Sequence, residues 1–386
     1  MTTQCKKVEV IAAGQPFDAG LSQGLALRNK IHHAWNALSQ LEAFRLQQPW
    51  WLPYEAYCWV AANKARRFLE PCLLNTLPSQ TRRLDGIAAG AELPLRSIYL
   101  FNALEPVLSS VGGCTVCPSA CSAVAVRGKR SVQQEPILVR NFDYLPLVQP
   151  YYVIRDSRPD GKLRSLEFTT APLAGAVDGM NENGLCITYN YAYTIDIPGG
   201  SAVPISMLIS EALQHCSTVS DAAQWIAAQP RWGGGILMLA DASGDIAALE
   251  LSSTQSFLKR PADGCDYLFH TNHFYGSIMK QVQSPEQAVF TNLAPTPLRG
   301  KQLHLSAQLR DQRLEQLLSK PTAHDGESLH AIMSDHGEQH SPTDTTICVH
   351  SNYWYTTACL QFYPRSRTMR VSYSSACQAE FEDITF

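Results

Sequence analysis

The sequence changes character near residue 120. Before that point, apolar residues recur at helical spacing, most regularly between residues 27 and 41, which predicts a long amphipathic helix. After it come short β-prone runs, at 121–126 and 136–144, that predict two neighbouring strands of a hairpin. Helices and strands are grouped along the chain rather than strictly alternating. We therefore expect an α+β fold in which sheet packs on sheet and the helices lie outside.

Other segments extend this pattern. Ser220 is a plausible N-cap for the helix that follows it. Further predicted helices cover 53–74, 79–91, 97–108, 204–216, 220–228 and 310–318. Further predicted strands cover 151–155, 164–169, 185–193, 236–239, 247–251, 267–270, 345–350, 357–363 and 368–373.

Composition excludes several classes of protein. The formal net charge of −3 lacks the basic excess of a nucleic-acid-binding protein. With 45% hydrophobic and 17% charged residues, the chain is expected to bury a large core rather than to be disordered. No apolar run is long enough to predict a membrane span, and the first residues do not resemble a secretory signal. Most of the 12 cysteines are scattered, which favours buried thiols in the cytoplasm.

Three cysteines crowd into eight residues and allow three interpretations. Cys114, Cys117 and Cys121 have the spacing of metal ligands, so one hypothesis is a metal or Fe–S protein, although no second CxxC occurs to complete the site. A second interpretation is structural thiols. The third makes Cys121, which opens a predicted strand, a catalytic nucleophile.

The next predicted strand carries groups that would support a nucleophile. Arg140 on a neighbouring strand would stabilise a thiolate, and Asp143 would bind an ammonium or amide group. Further along, Asn190 and Asn272 offer amide N–H groups, which are good donors to an oxyanion. A plain cross-strand ion pair between Arg140 and Asp143 remains the alternative.

Several motifs together resemble a known family. Their order and spacing are similar to those of the cysteine acyl-CoA:6-aminopenicillanic acid acyltransferase family, within the linear-amide N-terminal-nucleophile (Ntn) hydrolases, and more distantly to choloylglycine hydrolase and penicillin V acylase. The matching segments are Cys121-Ser-Ala, Arg140-Asn-Phe-Asp143, Gly179-Met-Asn-Glu-Asn-Gly184, Tyr189-Asn-Tyr191, His270-Thr-Asn-His273, Arg310, Ser334-Asp-His336 and Ile347-Cys348, with Gly14 to Gly20 and Phe101 to Glu105 resembling a leader region.

The resemblance implies a fold and a maturation route. The fold would be an αββα four-layer sandwich, with residues 1–120 a mainly helical pro-segment or small subunit and 121–386 the catalytic sandwich. The inactive precursor would cut itself at Ala120–Cys121, and the two fragments would remain together as a heterodimer. The freed α-amine of Cys121 would then serve as the base for its own thiol. No cofactor and no metal are implied at this site.

The resemblance also implies a chemistry. Cys121 would form an acyl-enzyme with a small-molecule amide or acyl thioester, which water resolves in a hydrolase and an amine in an acyltransferase. Asp143 and Arg140 would shape the surroundings of Cys121, and Asn272 would be the oxyanion donor. Asn190 and Arg310 would belong to the same substrate pocket.

Some assignments stay open on the sequence alone. Cys114 is a rival nucleophile, but Pro118 interrupts any strand that follows it, so Cys121 is favoured. Arg313 is the alternative to Arg310, and Asn181 is as readily explained as a turn residue. His336 and His340 have the spacing of a helical zinc pair, yet Gly337 between them favours a loop.

Overall fold

The computed structural model describes residues 8–105 and 120–386. None of the helices in these ranges combines the length and apolar character that crossing a bilayer requires. The helices are α1 (Pro16–Ala26), α2 (Arg28–Ala37), α3 (Glu42–Arg45), α4 (Tyr54–Thr76), α5 (Pro78–Ala91), α6 (Leu95–Asn102), α7 (Ile205–His215), α8 (Val219–Ala228), α9 (Ser277–Val282), α10 (Leu305–Leu318) and α11 (Gly326–Met333).

The strands form two large sheets and one separate two-stranded sheet. They are β1 (Val10–Gly14), β2 (Ala120–Val126), β3 (Ile137–Tyr144), β4 (Tyr152–Pro159), β5 (Ser165–Thr170), β6 (Asp178–Asn181), β7 (Cys186–Ala192), β8 (Val203–Pro204), β9 (Arg231–Trp232), β10 (Gly234–Ala240), β11 (Ile246–Leu251), β12 (Ser256–Lys259), β13 (Tyr267–His270), β14 (Tyr355–Tyr363), β15 (Thr368–Ser372) and β16 (Glu382–Thr385).

Strand order separates the two sheets. The eight-stranded sheet has the order β1-β4-β5-β6-β7-β10-β11-β12, and the six-stranded sheet has the order β13-β2-β3-β14-β15-β16. Pairing is antiparallel in both except that β1 lies parallel to β4. The hairpin predicted at 121–144 is the pair β2–β3, which lies near one edge of the six-stranded sheet.

Alternation along the strands produces four layers. On β2, Cys121, Ala123 and Ala125 face the other sheet, whereas Val124 and Val126 pack against α10 and α11. On β10, Met238 faces the six-stranded sheet, and its neighbours pack against helices on the other side. Because both of its faces are buried, a central strand such as β10 is apolar on both sides. The predicted α+β class with αββα layers is confirmed.

The first hundred residues belong to this architecture. Strand β1 extends the eight-stranded sheet, and the helices from α2 to α6 share one apolar core with α7, α8 and the outer face of that sheet. The sequence analysis predicted neither β1 nor α1. The proposed division at residue 120 concerns processing and stays a prediction.

Other expectations were wrong in detail. The helix predicted over 27–41 ends at Ala37 and continues as one turn of 3₁₀-helix. The N-cap of α8 is Thr218, whose side chain accepts a hydrogen bond from the Asp221 N–H at 3.1 Å, rather than Ser220. Residues 345–350 form a loop and not a strand, since Thr346 donates to the carbonyls of Thr343 and Cys348 and holds the chain in turns.

Helices α1 and α5 cross at unusually close range because of four glycines. Gly20 and Gly24 lie one turn apart on α1, and Gly86 and Gly90 lie one turn apart on α5, so each pair shares a helix face. A Cβ atom on Gly20 would lie 2.1 Å from the Arg83 carbonyl oxygen, and one on Gly86 would lie 2.1 Å from that of Phe17. The contact is therefore backbone against backbone and leaves no room for a methyl group.

We expect Gly20→Ala to lower the free energy of unfolding by about 1–3 kcal/mol or more, since the opposing backbone has to move to admit the new methyl group. Gly200→Ala is the control, because a Cβ there meets nothing within 4 Å; its change should stay within about 0.5 kcal/mol. Urea unfolding midpoints measure both. Equal stability of the two variants would contradict the packing described for α1 and α5.

Candidate active site

Cys121 lies at the start of β2 with its side chain buried between the two sheets. It pairs with Phe142 of β3, and Ala123 pairs with Arg140. Paired residues on antiparallel strands point to the same face, so Cys121 and Arg140 both face the eight-stranded sheet. The hairpin expected from sequence therefore delivers the predicted arginine to the predicted cysteine, and Arg140 Nη2 donates to Cys121 Sγ at 3.2 Å.

The Arg140 guanidinium is fully buried and spans the gap between the sheets. It forms an ion pair with Asp178 on β6, at 2.5 Å. It also donates to Asn190 Oδ1 at 3.2 Å and to the Tyr189 carbonyl oxygen. A buried cation requires such partners. The ion pair with Asp178 also shows that Arg140 is not simply paired with Asp143.

A second buried arginine holds the backbone of the same cysteine. Arg310 on α10 donates through Nη1 to the Cys121 carbonyl oxygen at 2.5 Å and to Ser122 Oγ at 2.9 Å. Its Nη2 donates to Asn272 Oδ1 at 2.8 Å, which also accepts the Cys121 N–H at 2.8 Å. The Asn272 amide is oriented in turn by donation to the Tyr191 carbonyl oxygen. Arg310 and Asn272 thus fix both polar backbone groups of Cys121.

Asp143 lies on the opposite face of the hairpin from Arg140, directly across from Ala120. Its Oδ1 accepts the Thr356 hydroxyl at 2.6 Å. Its Oδ2 is buried and has no hydrogen-bond partner among the described residues. Burial raises the pKa of Asp143 to about 7, and Arg310 opposes that rise. This carboxyl group thus carries one oxygen that is ready for a donor beside the Ala120–Cys121 bond.

Two opposing effects act on the thiol. Burial raises the pKa of Cys121, whereas the positive charge of Arg140 lowers it.

Asp178 differs from Asp143, because both of its oxygens accept a hydrogen bond. One accepts from Arg140 and the other from the Tyr189 N–H at 2.9 Å. Burial nevertheless raises the pKa of Asp178 to about 6.

An apolar cavity of about 200 Å³ opens beside Cys121 and Arg140. Its wall combines residues from both parts of the chain: Ala34, Ala37 and Leu38 from the N-terminal helices, and Phe142, Leu145 and Val148 from the end of β3 and the loop that follows. A cavity of this kind can hold an apolar group that is attached to a carbonyl group beside the thiol.

A hydrogen-bonded pair, Tyr189 and Glu105, is among the polar residues of this wall. The Tyr189 hydroxyl donates to Glu105 Oε1 at 2.6 Å. Burial raises the pKa of Glu105 to about 7, against the effect of that hydrogen bond. Glu105 appeared in the sequence only as part of a leader segment, with no role assigned.

The structure brings together all six residues predicted for the site, but only Cys121 and Arg140 among them line the cavity. The six are Cys121, Asp143, Arg140, Asn272, Asn190 and Arg310. Of the open alternatives, Arg313 pairs instead with Asp335 at 2.8 and 2.9 Å. Asn181 closes the turn after β6 by accepting the Asn183 and Leu185 N–H groups.

Two supporting residues were not predicted. Asp178 immediately precedes the motif from Gly179 to Gly184. The only sequence argument that could have predicted its role is that a buried arginine needs an anion. Thr356 binds Asp143 from β14, more than 200 residues along the chain. Cys114 and Cys117 lie outside the described residues, so the metal hypothesis that includes them stays a prediction. Cys121 Sγ itself faces a guanidinium group.

Solved structures similar to this chain share little sequence with it. An N-acylethanolamine-hydrolyzing acid amidase ortholog from Caenorhabditis elegans is 13% identical, with TM-score 0.44, covering 64% of this chain and 93% of that chain. A mutant conjugated bile acid hydrolase from Clostridium perfringens is 14% identical, with TM-score 0.38, covering 69% and 97%. Penicillin V acylase from Agrobacterium tumefaciens is 12% identical, with TM-score 0.38, covering 69% and 86%.

No curated protein gives a significant match to the sequence. One family model does, over residues 130–376, and its description is acyl-coenzyme A:6-aminopenicillanic acid acyl-transferase. That range includes the strand that carries Arg140 and Asp143, the loop that carries Asn272, and most of both sheets. Since the match covers well over half of the residues, the chain belongs to the acyl-coenzyme A:6-aminopenicillanic acid acyl-transferase family.

Proposed function

We propose that this protein is a self-processing amidase in which Cys121, freed as an N-terminal residue, carries the acyl-enzyme. The observation that supports it most is the set of contacts on one residue: Arg140 on the sulfur, Arg310 on the carbonyl oxygen, and Asn272 on the nitrogen. Structural cysteines do not require a buried polar shell of this kind, whereas a nucleophile held in one orientation does.

The maturation step uses the same groups. The Cys121 sulfur attacks the carbonyl carbon of Ala120, the C–N bond breaks, and water hydrolyses the resulting thioester. The products are a carboxylate on Ala120 and a free α-amine on Cys121. Asp143, opposite Ala120, has one oxygen without a partner in the described part of the chain, and that oxygen would then bind the new ammonium group.

The catalytic cycle repeats this chemistry on a substrate. The α-amine takes the thiol proton, the thiolate attacks the amide carbonyl, and the leaving amine departs with that proton. The side-chain amide of Asn272 would stabilise the oxyanion. Water then releases the acid. An amine acceptor in place of water would give acyl transfer, which the family's description favours as the second candidate.

The acyl group would occupy the apolar cavity. Because the cavity wall includes Ala34, Ala37 and Leu38, the N-terminal fragment would form part of the substrate site. The pairing of β1 with β4 and the shared apolar core support the proposal that fragments 1–120 and 121–386 stay associated.

We expect the purified wild-type protein to give fragments of about 13 and 29 kDa, the shares of 42.6 kDa that lie before and after the Ala120–Cys121 bond. Cys121→Ala should remain at 42.6 kDa, since it lacks the attacking sulfur. Cys265→Ala, which alters a half-buried thiol outside the site, should cleave like wild type. Intact-mass spectrometry distinguishes these outcomes. Cleavage before Cys114 would move the nucleophile there, and amidase activity in Cys121→Ala would refute the proposal.

Asp143 gives a pH-dependent prediction in the uncleaved Cys121→Ala background. Its pKa of about 7 lies above the usual 3.8, so the folded state binds a proton more tightly, and stability falls as pH rises from about 4 to 7. Asp143→Asn mimics the protonated acid and should stabilise this precursor by about 2–4 kcal/mol at pH 8. At pH 4 the two proteins should be nearly equal. Denaturant unfolding at both pH values is the measurement, and destabilisation by the Asn variant at pH 8 would contradict the burial argument.

The cavity predicts acyl-chain preference. Ala37→Phe should fill part of the cavity and exclude two or three methylenes of a long acyl chain, at about 0.8 kcal/mol each. We expect kcat/KM for a long-chain amide to fall by about 10- to 60-fold. The acetyl amide of the same amine is the control and should be little affected, and self-cleavage should persist. Equal losses on both substrates would place the acyl group elsewhere.

A further inference from the structure

Four metal-ligating side chains converge on the outer side of the six-stranded sheet. His336 lies in the loop after α11, Cys348 and His350 lie in the loop before β14, and Cys377 follows β15. One nitrogen of each imidazole and both sulfur atoms lie within 4.8 Å of one another. Three separate loops therefore deliver two thiols and two imidazoles to one point.

The distances fit the edges of a tetrahedral metal site. With Zn–S near 2.3 Å and Zn–N near 2.0 Å, neighbouring sulfur and nitrogen ligands are about 3.5 Å apart. The His350 Nε2 atom lies 3.3 Å from Cys348 Sγ and 3.5 Å from Cys377 Sγ. The centroids of the two imidazole rings are 5.1 Å apart, and the ring planes are nearly perpendicular, at 87°.

His336 adds an independent observation. Its Nε2 atom is buried and has no hydrogen-bond partner among the described residues. A buried imidazole nitrogen without a partner is costly, and a metal ion would satisfy it. His340, which the sequence pairs with His336 by spacing, is not in the cluster, so the fold selects different partners from those that spacing alone suggests.

We propose that His336, Cys348, His350 and Cys377 bind one structural Zn²⁺ ion. The donor set of two thiolates and two imidazoles is typical of zinc, and two thiolates neutralise the charge of the ion as their protons pass to solvent. Four protein ligands leave no open position, which indicates a structural rather than a catalytic ion. This inference does not depend on the proposed amidase activity.

The ion would fix a loop that contacts Asp143. Val349 lies between two of the ligands, and its N–H donates to Thr356 Oγ1 at 2.8 Å. The same hydroxyl donates to Asp143 Oδ1 at 2.6 Å. Zinc would thus hold the donor that positions Asp143, while its ligands stay out of contact with Cys121.

The test compares zinc content and affinity in the full-length protein and its variants. Wild type should contain about one zinc per chain by elemental analysis and should bind added Zn²⁺ one to one in competition with a chromophoric chelator. Cys377→Ser, at an exposed position, and His336→Asn should each weaken binding by more than the ~10–100-fold typical of losing an outer hydrogen-bond partner of a ligand. Cys265→Ser and His340→Asn are the matched controls and should bind like wild type.

Cobalt gives a second readout that a folding defect would not imitate. Co²⁺ added to the chelator-treated wild type should show the visible bands of a tetrahedral ion with thiolate charge transfer, and Cys377→Ser should lose part of that charge transfer. Zinc binding by wild type no tighter than by Cys377→Ser would overturn the proposal. So would a peptide map of the untreated protein that joins Cys348 to Cys377 by a disulfide.

Discussion

The packing of the two sheets depends on how the buried charge of Arg140 is paired. Its guanidinium lies between two sheets, where an unpaired cation is very costly, and its partners come from β6, β7 and β2. Meeting that requirement fixes how one sheet sits on the other at the start of β2. The same contacts place a donor on the Cys121 sulfur. A single buried charge therefore links the packing of the sandwich to the orientation of the Cys121 thiol.

The two aspartates near this arginine differ in how many of their oxygens accept a hydrogen bond. Asp178 receives a donor on each oxygen, and its role is to balance Arg140. Among the residues that the structure describes, Asp143 receives a donor on one oxygen only. A protein that needed Asp143 only for stability would gain from replacing or fully pairing it, because a half-satisfied buried carboxyl group is unfavourable. The unequal pairing points to a partner that appears later, which the proposed cleavage would create.

Local pattern predicted the parts of the site that lie on one hairpin. Alternation along β2 and β3 is enough to place Cys121 and Arg140 on one face and Asp143 on the other. Arg310 was favoured over Arg313 through the family resemblance, and the helix that carries it, α10, begins at Leu305 rather than at residue 310. Asp178 and Thr356 come from distant strands, and no local signal marks them. The loop at 345–350 was predicted as a strand because its β-branched residues favour one, but the Thr346 hydroxyl binds backbone carbonyl groups instead.

Under the proposed maturation, Asp143 also gives cleavage a thermodynamic direction. In the intact chain the nitrogen of Cys121 is a neutral amide that donates to Asn272, so the positive charges of Arg310 and Arg140 offset only part of the cost of burying the Asp143 carboxylate. Hydrolysis would convert that nitrogen into an ammonium group near Asp143, and a nearby opposite charge lowers the pKa of a carboxyl group. Thr356 keeps the carboxyl group from turning away before this happens. The electrostatic cost carried by the precursor is thus relieved in the product, which makes the cut chain the better-satisfied state of the same fold.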